Sequence, residues 1–281
     1  MNVALPERGS ASRTSAVRSV PPGIRARVFL RSLTLQASWN RKGMQSLGVA
    51  FALWPALRWL YASRDDRVRA VRRHLAFFNT HPYLAAAILG GILRLEERIA
   101  AGEESPEAVQ RFKEALMFPF AAVGDSFFWL ALRPFAGAVA ALAFPWIGLW
   151  SVLVFLALYD VPHLALRVGM FRAGYRTGEG VVGTIGDLGL PGAGAILRRS
   201  LACLGGVAVV IAAWKMSLQP GVAWPGVAWP GLPPTGAILL PLGASVGTAA
   251  VGYGLLVGKG PVAAGYLAIV IGMAIALFLG T

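Results

Sequence analysis

Cysteine is all but absent from this 281-residue chain: Cys203 stands alone, so no internal disulfide and no cysteine zinc cluster can form. Histidine is scarce as well, with three residues in all. A metal site on His74 and His81 is not expected, because no acid follows them before Glu96. Charge is thin. Asp, Glu, Lys and Arg make up 14% of the residues against 56% apolar ones, and the mean hydropathy of +0.62 lies far outside the range of an ordinary soluble domain. This composition predicts a membrane protein. Acidic residues stop at Asp187, and Lys215 and Lys259 are the only charged residues beyond Arg199. The formal charge is +13, yet the basic residues alternate with apolar segments, so the positive-inside rule and anionic lipid account for them and no nucleic acid is expected as a partner.

A signal-peptide core is also missing. Residues 1–25, rich in Ser, Arg, Pro and Gly, read as a disordered basic tail on the cytoplasmic side. Val28 to Tyr61 is amphipathic, and its apolar stretch Leu47 to Leu57 is too short to span a bilayer and carries Pro55, which predicts an interfacial or re-entrant element. Ser63-Arg64-Asp65-Asp66 offers a capped helix start, followed by Val68, Val71, Leu75 and Phe78 as one apolar face. Ser105-Pro106-Glu107 is a second start signal, inside a hydrophilic stretch, Arg94 to Lys113, expected outside the bilayer. Ala115 to Tyr159 is almost continuously apolar, broken at Pro119, Gly124-Asp125, Arg133-Pro134 and Pro145. One helix over that length would overshoot the bilayer about twofold, so at least two helices or half-helices are required. The polar stretch Asp160 to Arg199 contains Gly183 to Gly194, read as a flexible loop because it lacks the Lys-Ser/Thr ending and preceding strand of a phosphate-binding motif. Leu201 to Trp214, Gly236 to Gly258 and Val262 to Gly280 are the C-terminal apolar segments, and the Gly221-Val-Ala-Trp-Pro repeat between them reads as a local loop duplication.

The polar tetrad Asn79-Thr80-His81-Pro82 sits between apolar segments. Pro82 disfavours helix at His81 and cannot donate a backbone hydrogen bond, so the tetrad is expected on broken backbone beside a hydrophobic segment, a construction transporters use for substrate sites. Asn79 offers donor and acceptor together, which suits a hydroxyl-rich ligand; a helix C-terminal cap is the competing reading. Asp125, an acid between apolar segments, is either site-lining or the cap of a half-helix that starts at Ser126. Arg133 is too far along a regular helix to be its direct partner.

Six ordered motifs, Val28-Phe29-Leu30-Arg31-Ser32, Gln36-Ala37-Ser38-Trp39-Asn40, Met44-Gln45, His74 through Pro82, Glu96-Glu97 and Val123-Gly124-Asp125-Ser126-Phe127-Phe128-Trp129, together resemble the enzyme IID component of the mannose/fructose/sorbose phosphotransferase system. The resemblance is specific from about Val28 to Trp129 and weakens towards Gly180. It implies an all-α integral membrane protein whose broken helices and re-entrant hairpins form a transport core, followed by C-terminal transmembrane helices. A tail (1–25) would precede one membrane domain (26–281). That domain would hold an amphipathic, re-entrant region with the sugar-site motifs (26–126), apolar core segments with a polar Gly-rich loop (127–200) and the C-terminal helices (201–281).

The resemblance also implies function. Such a subunit partners a IIC membrane subunit to carry a hexose across the bacterial inner membrane; for this multi-pass chain the arginine excess predicts a cytoplasmic N-terminus, and a symmetric hetero-oligomer with IIC is expected. IIA and IIB relay phosphate through their own histidines, so no phosphohistidine, catalytic residue, metal or cofactor is expected on this chain. The resemblance favours sugar contact for Asn79, with Thr80, His81 and Asp125 as further substrate-site candidates. Gln36, Trp39, Asn40 and Gln45 are assigned to a partner interface or the site lining. One departure stands out: where the family carries an acid shortly before the helix corresponding to Leu201 to Trp214, this chain has Arg198 and Arg199. A guanidinium donates only, whereas a carboxylate accepts from sugar hydroxyls. A scaffold or sugar sensor with weak or no transport is therefore the alternative.

Overall fold

The computed structural model describes residues 18–217, with side chains given except at 179 and 206–217. The tail up to 17, the Trp-Pro repeat and the last two apolar segments lie outside the described residues. Among those described, the regular structure is all helical, with no strand and only two isolated β-bridges. The helices are α1 (Pro22–Ser32), α2 (Ser46–Leu60), α3 (Arg64–His74), α4 (Ala85–Ala100), α5 (Glu107–Gly124), α6 (Arg133–Ile147), α7 (Ser151–Thr177), α8 (Val181–Asp187) and α9 (Leu190–Ser217). They fall into two compact units, one of Met1–Gly124 with Leu164–Leu188, the other of Asp125–His163 with Gly189–Thr281.

In the first unit α4 is the core. Every residue from Ala85 to Leu93 is buried, because the run is apolar or Gly at all positions and so needs neighbours on every side. Gly174 on α7 lets that helix come down on α4: a Cβ there would lie 1.9 Å from the Ala87 carbonyl oxygen, and one at Gly90 would lie 2.2 Å from that of Phe171. Any side chain at either position would force these helices apart. α2 buries Val49, Ala52, Leu53, Ala56 and Leu57 and exposes Leu47, Phe51 and Trp54. With 15 residues it is about 22 Å long, so the expectation that this segment is too short to span holds.

Two local expectations need correction. α3 starts as predicted, with the Ser63 hydroxyl accepting from Asp65 N and Asp66 N, but Val68 and Leu75 are exposed and Phe78 lies beyond the helix end. The face α3 buries is Ala70 and His74, because polar bonds from Arg73 and His74 to α4 outweigh the apolar periodicity. The helical chain also begins earlier than the boundary near Arg25, at Pro22, whose fixed φ suits a first turn. Val20 before it is buried.

Glu107–Thr177 forms the one stretch of helix among the described residues long and apolar enough to cross a membrane, and 11% of its most apolar 18-residue window is buried. A soluble core helix would be mostly covered; this most apolar part is largely uncovered, while the two ends of the stretch bury residues such as Phe112 and Phe171. The stretch breaks at Gly148, with φ of 54°, between α6 and α7, and not at any of the four expected positions. Pro119 and Pro145 stay inside helices. At Gly124-Asp125 the chain does not stop but widens into a π-helical segment, Asp125–Leu132, that runs into Arg133-Pro134; the wider turn accommodates the proline ring and its missing donor.

In the second unit that π segment packs on α9, Gly194 lying against Phe127 and Ala131. The Gly-rich stretch Gly183 to Gly194 is not the flexible loop expected from its composition. It is helical on both sides of Gly189, whose φ of 58° makes the turn.

Candidate functional site

Between α3 and α4 the backbone from Leu75 to Leu84 is irregular, as the tetrad predicts. It is held from below by the loop after α1. Asn40 folds that loop on itself, its Oδ1 accepting from Lys42 N at 3.1 Å and Gly43 N at 2.9 Å. Met44, at φ 54°, then turns the chain so that Met44 pairs with Phe78 as a short parallel bridge. Gln45 N donates to Phe78 O at 2.9 Å. The Gln45 amide completes the clamp by donating to Thr80 O at 2.7 Å and accepting from Thr80 N at 3.2 Å. Two buried backbone groups of broken chain are thereby satisfied.

The clamp sorts the predicted residues. Asn79 is half-buried, and among the described residues its side chain makes no hydrogen bond. The capping alternative is excluded, since Leu75 is the C-cap of α3. Thr80 is 4% exposed and its hydroxyl has no hydrogen-bond partner among the described residues. His81 is 1% exposed; its Nδ1 accepts from Tyr83 N at 3.3 Å, and its ring packs so closely on α5 that a Cβ at Gly124 would lie 2.3 Å from it. Gln45 is 2% exposed and both ends of its amide are engaged by Thr80, so it positions the tetrad and presents nothing to a partner surface. Gln36, Trp39 and Asn40 remain exposed.

Asp125 opens the π segment and is half-buried. No helix starts at Ser126, so its reading as the cap of a half-helix is corrected. Among the described residues it forms no ion pair with Arg133. Arg198 instead reaches its neighbour, donating to Ser126 O at 3.3 Å and Ser126 Oγ at 3.4 Å. The residue that departs from the family pattern thus touches the Asp125-Ser126 motif itself.

Beside the tetrad lies a buried polar cluster that residue-by-residue reading of the sequence passed over. Glu96, fully buried, accepts from Arg73 Nε at 2.6 Å, Arg73 Nη2 at 2.9 Å and Tyr61 OH at 2.7 Å, and lies 3.0 Å from His74 Nε2. Lys113, also fully buried, caps the C-terminal end of α3 by donating to Arg73 O at 3.0 Å. Burial alone would raise the Glu96 carboxyl, but hydrogen bonds from Arg73 and His74 overcome it and hold the group well below the usual carboxylate range. Burial holds the His74 imidazole below its ordinary value despite the carboxylate beside it. His74 is therefore a neutral donor inside a structural cluster. The next residue, Glu97, faces another way and accepts from Val20 N at 2.6 Å, Tyr175 OH at 2.7 Å and Arg94 Nη1 at 2.9 Å. It ties the start of the chain to the end of α7. Two adjacent acids in an apolar helix were the signal available. Arg167, 5% exposed, was missed too; its guanidinium donates to Ser32 O and lies 5.8 Å from the centre of the Tyr83 ring.

Comparison with known proteins identifies the family. Residues 23–213 match the model of the mannose/fructose/sorbose family IID component of the phosphotransferase system. The mannose-specific EIID component of Escherichia coli K12 is 44% identical over 162 residues, 57% of either chain. The sorbose-specific EIID component of Klebsiella pneumoniae is 32% identical over 170 residues, 60% of this chain and 62% of that one. The matched stretch thus spans little more than half the length of these curated relatives. A cryo-electron-microscopy structure of the mannose transporter ManYZ in complex with a microcin is similar over 94% of this chain and 97% of that one, with a TM-score of 0.55 and 32% identity. A second solved membrane protein aligns over 68% of this chain and 71% of its own, with a TM-score of 0.62 and 37% identity.

Proposed function

Since the chain belongs to the mannose/fructose/sorbose family of phosphotransferase-system IID components, we propose that it is the membrane subunit that forms, with a IIC subunit, the path by which a hexose enters the cell. IIA and IIB would phosphorylate the arriving sugar. One observation carries the reading: among the described residues the Asn79 side chain makes no hydrogen bond, on broken backbone that Gln45 clamps at Thr80. An amide that offers donor and acceptor together is suited to a sugar hydroxyl, which is itself both. Thr80, whose hydroxyl has no partner among the described residues, and His81 join the site in this reading, and Asp125, on the second unit, is proposed separately as a sugar acceptor. Helices too short to span, α2 above all, would form re-entrant elements that need a IIC subunit to satisfy their polar ends in lipid, and we infer a symmetric hetero-oligomer. Gln36, Trp39 and Asn40, exposed beside the clamp, are its candidate interface. The subunit would be multi-pass in the bacterial inner membrane, its basic N-terminal region cytoplasmic. A Ser12→Cys variant that reacted efficiently with an impermeant reagent in intact cells would overturn that orientation.

Vesicles holding the full chain with IIC, supplied with IIA and phosphorylated IIB, should accumulate hexose phosphate. Background flux from a correctly assembled complex would sink the transport reading. The position of Arg198 at Ser126 favours a second reading in that event, a scaffold or sugar sensor that kept the assembly surface and lost efficient transport.

A further inference from the structure

Where α1 lies beside the last turns of α7, a cavity of about 450 Å³ opens between Arg25, Phe29, Phe171, Arg172, Tyr175 and Arg176. It plays no part in the sugar path proposed above. Three guanidiniums surround it. Arg172 and Arg176 are exposed, one turn apart on α7, and Arg25 lies across the Tyr175 ring at 4.6 Å. None of the three has an ion-pair partner among the described residues. The nearest acid on Tyr175, Glu97, is already engaged by Val20, Tyr175 and Arg94. The floor is apolar, with Phe29 and Phe171 packed at 5.6 Å between ring centres.

We propose that this groove holds the headgroup phosphate of an anionic phospholipid, with its glycerol and first methylenes on the Phe29–Phe171 floor. The charge requires an anion, and Arg offers the forked donors that phosphate takes. The lining offers more than a free anion uses, since Phe29, half-buried on the buried Phe171, borders the groove with apolar surface that inorganic phosphate or a sugar phosphate would leave in water. The surroundings fit an interface. On α1, Arg27 and the outward apolar residues Leu30 and Leu33 are exposed side by side, and Phe51 and Leu47 of α2 are exposed nearby in the same unit. Cationic heads above exposed apolar side chains are the pattern of a helix lying at headgroup level. Arg172 and Arg176 stand at the basic end of the apolar helix, where anionic headgroups are met.

The test is native mass spectrometry on the full-length chain, in the assembly with which it purifies, delipidated and titrated with phosphatidylglycerol, phosphatidylcholine or glycerol 3-phosphate. One phosphatidylglycerol should be retained in preference to phosphatidylcholine, and glycerol 3-phosphate at the same concentration should not displace it. Each arginine changed to Gln should weaken retention about fivefold, and the Arg25→Gln/Arg172→Gln/Arg176→Gln variant about a hundredfold. The control Arg64→Gln/Arg69→Gln/Arg72→Gln, with the same loss of charge on α3, should bind as the native chain does. If the groove triple variant does not assemble, Arg172→Gln and Arg176→Gln alone decide the matter, since both side chains are exposed. Unchanged retention in the groove variants, equal loss in the control, or equal binding of phosphatidylcholine would overturn the proposal. Displacement by glycerol 3-phosphate would overturn it in favour of a soluble phosphate ligand.

Discussion

Replacing Glu96 by Gln keeps its shape and removes its charge, and the structure sets the cost. Glu96 is fully buried between Arg73, whose side chain is 17% exposed, and His74, which is not exposed at all. Lys113 lies close by on α5 with no other carboxylate to balance it among the described residues. The variant leaves Arg73 and Lys113 buried without a counter-charge, and an amide N–H₂ facing groups that already donate. Breaking one partner out of a buried pair costs about 3–5 kcal/mol, and at about 2–4 °C per kcal/mol for a chain this size the midpoint of unfolding should fall by roughly 6–20 °C. Glu97→Gln is the internal comparison. Its charged partner Arg94 is 44% exposed and can turn to water, so the loss should be nearer 1–3 kcal/mol. The assay is thermal unfolding of the complex in detergent, read by loss of the monodisperse peak. A Glu96→Gln midpoint within about 2 °C of the native one would refute the reasoning, as would a larger effect at Glu97. Acid acts through the same cluster. His74 is held below its ordinary value of 6.5 by burial, so the unfolded chain takes up the proton first and stability should decline as pH drops below 6.5. Glu96 is held below 4.5, so a second loss sets in below that value, and His74→Gln should remove the first arm and leave the second.

Asn79→Ala should weaken hexose binding by the complex about ten- to a hundredfold, the cost of one or two hydrogen bonds in a partly desolvated site, with assembly intact; normal binding by calorimetry would remove Asn79 from the site. Gln45→Ala leaves two backbone groups of Thr80 unpaired and should both destabilise the complex by about 1–3 kcal/mol and loosen sugar affinity, although Gln45 would not touch the sugar. A change in stability alone would separate the clamp from the site. Asp125→Asn should depress hexose flux through loss of an ionised acceptor, and Arg198→Glu should raise hexose binding if the departure from the family pattern has weakened it. Unchanged flux and binding in that pair would show the second unit to be indifferent to both residues.

The sequence by itself determined the solvent, the class and the punctuation. Composition alone demands a membrane, Ser63 and Ser105-Pro106-Glu107 mark helix starts near where they occur, Pro82 keeps the tetrad out of a helix, and α2 is visibly too short to span. These are local consequences of hydropathy, capping and proline, and they do not depend on what packs where. Tertiary structure decided the partners. Val68, Val71, Leu75 and Phe78 have the spacing of a buried face, yet α3 turns Ala70 and His74 inward and leaves Val68 and Leu75 exposed, because a carboxylate 22 residues beyond His74 holds that side of the helix against α4, while Phe78 is buried beyond the helix end. Gly183 to Gly194 has the composition of a loop and is helical, since packing offsets the weak propensity of glycine. That Gln45 holds Thr80 across 35 residues, and that Arg198 meets Ser126 across 72, has no local signature. Hydrogen bonds between distant segments are chosen by the fold that brings them together.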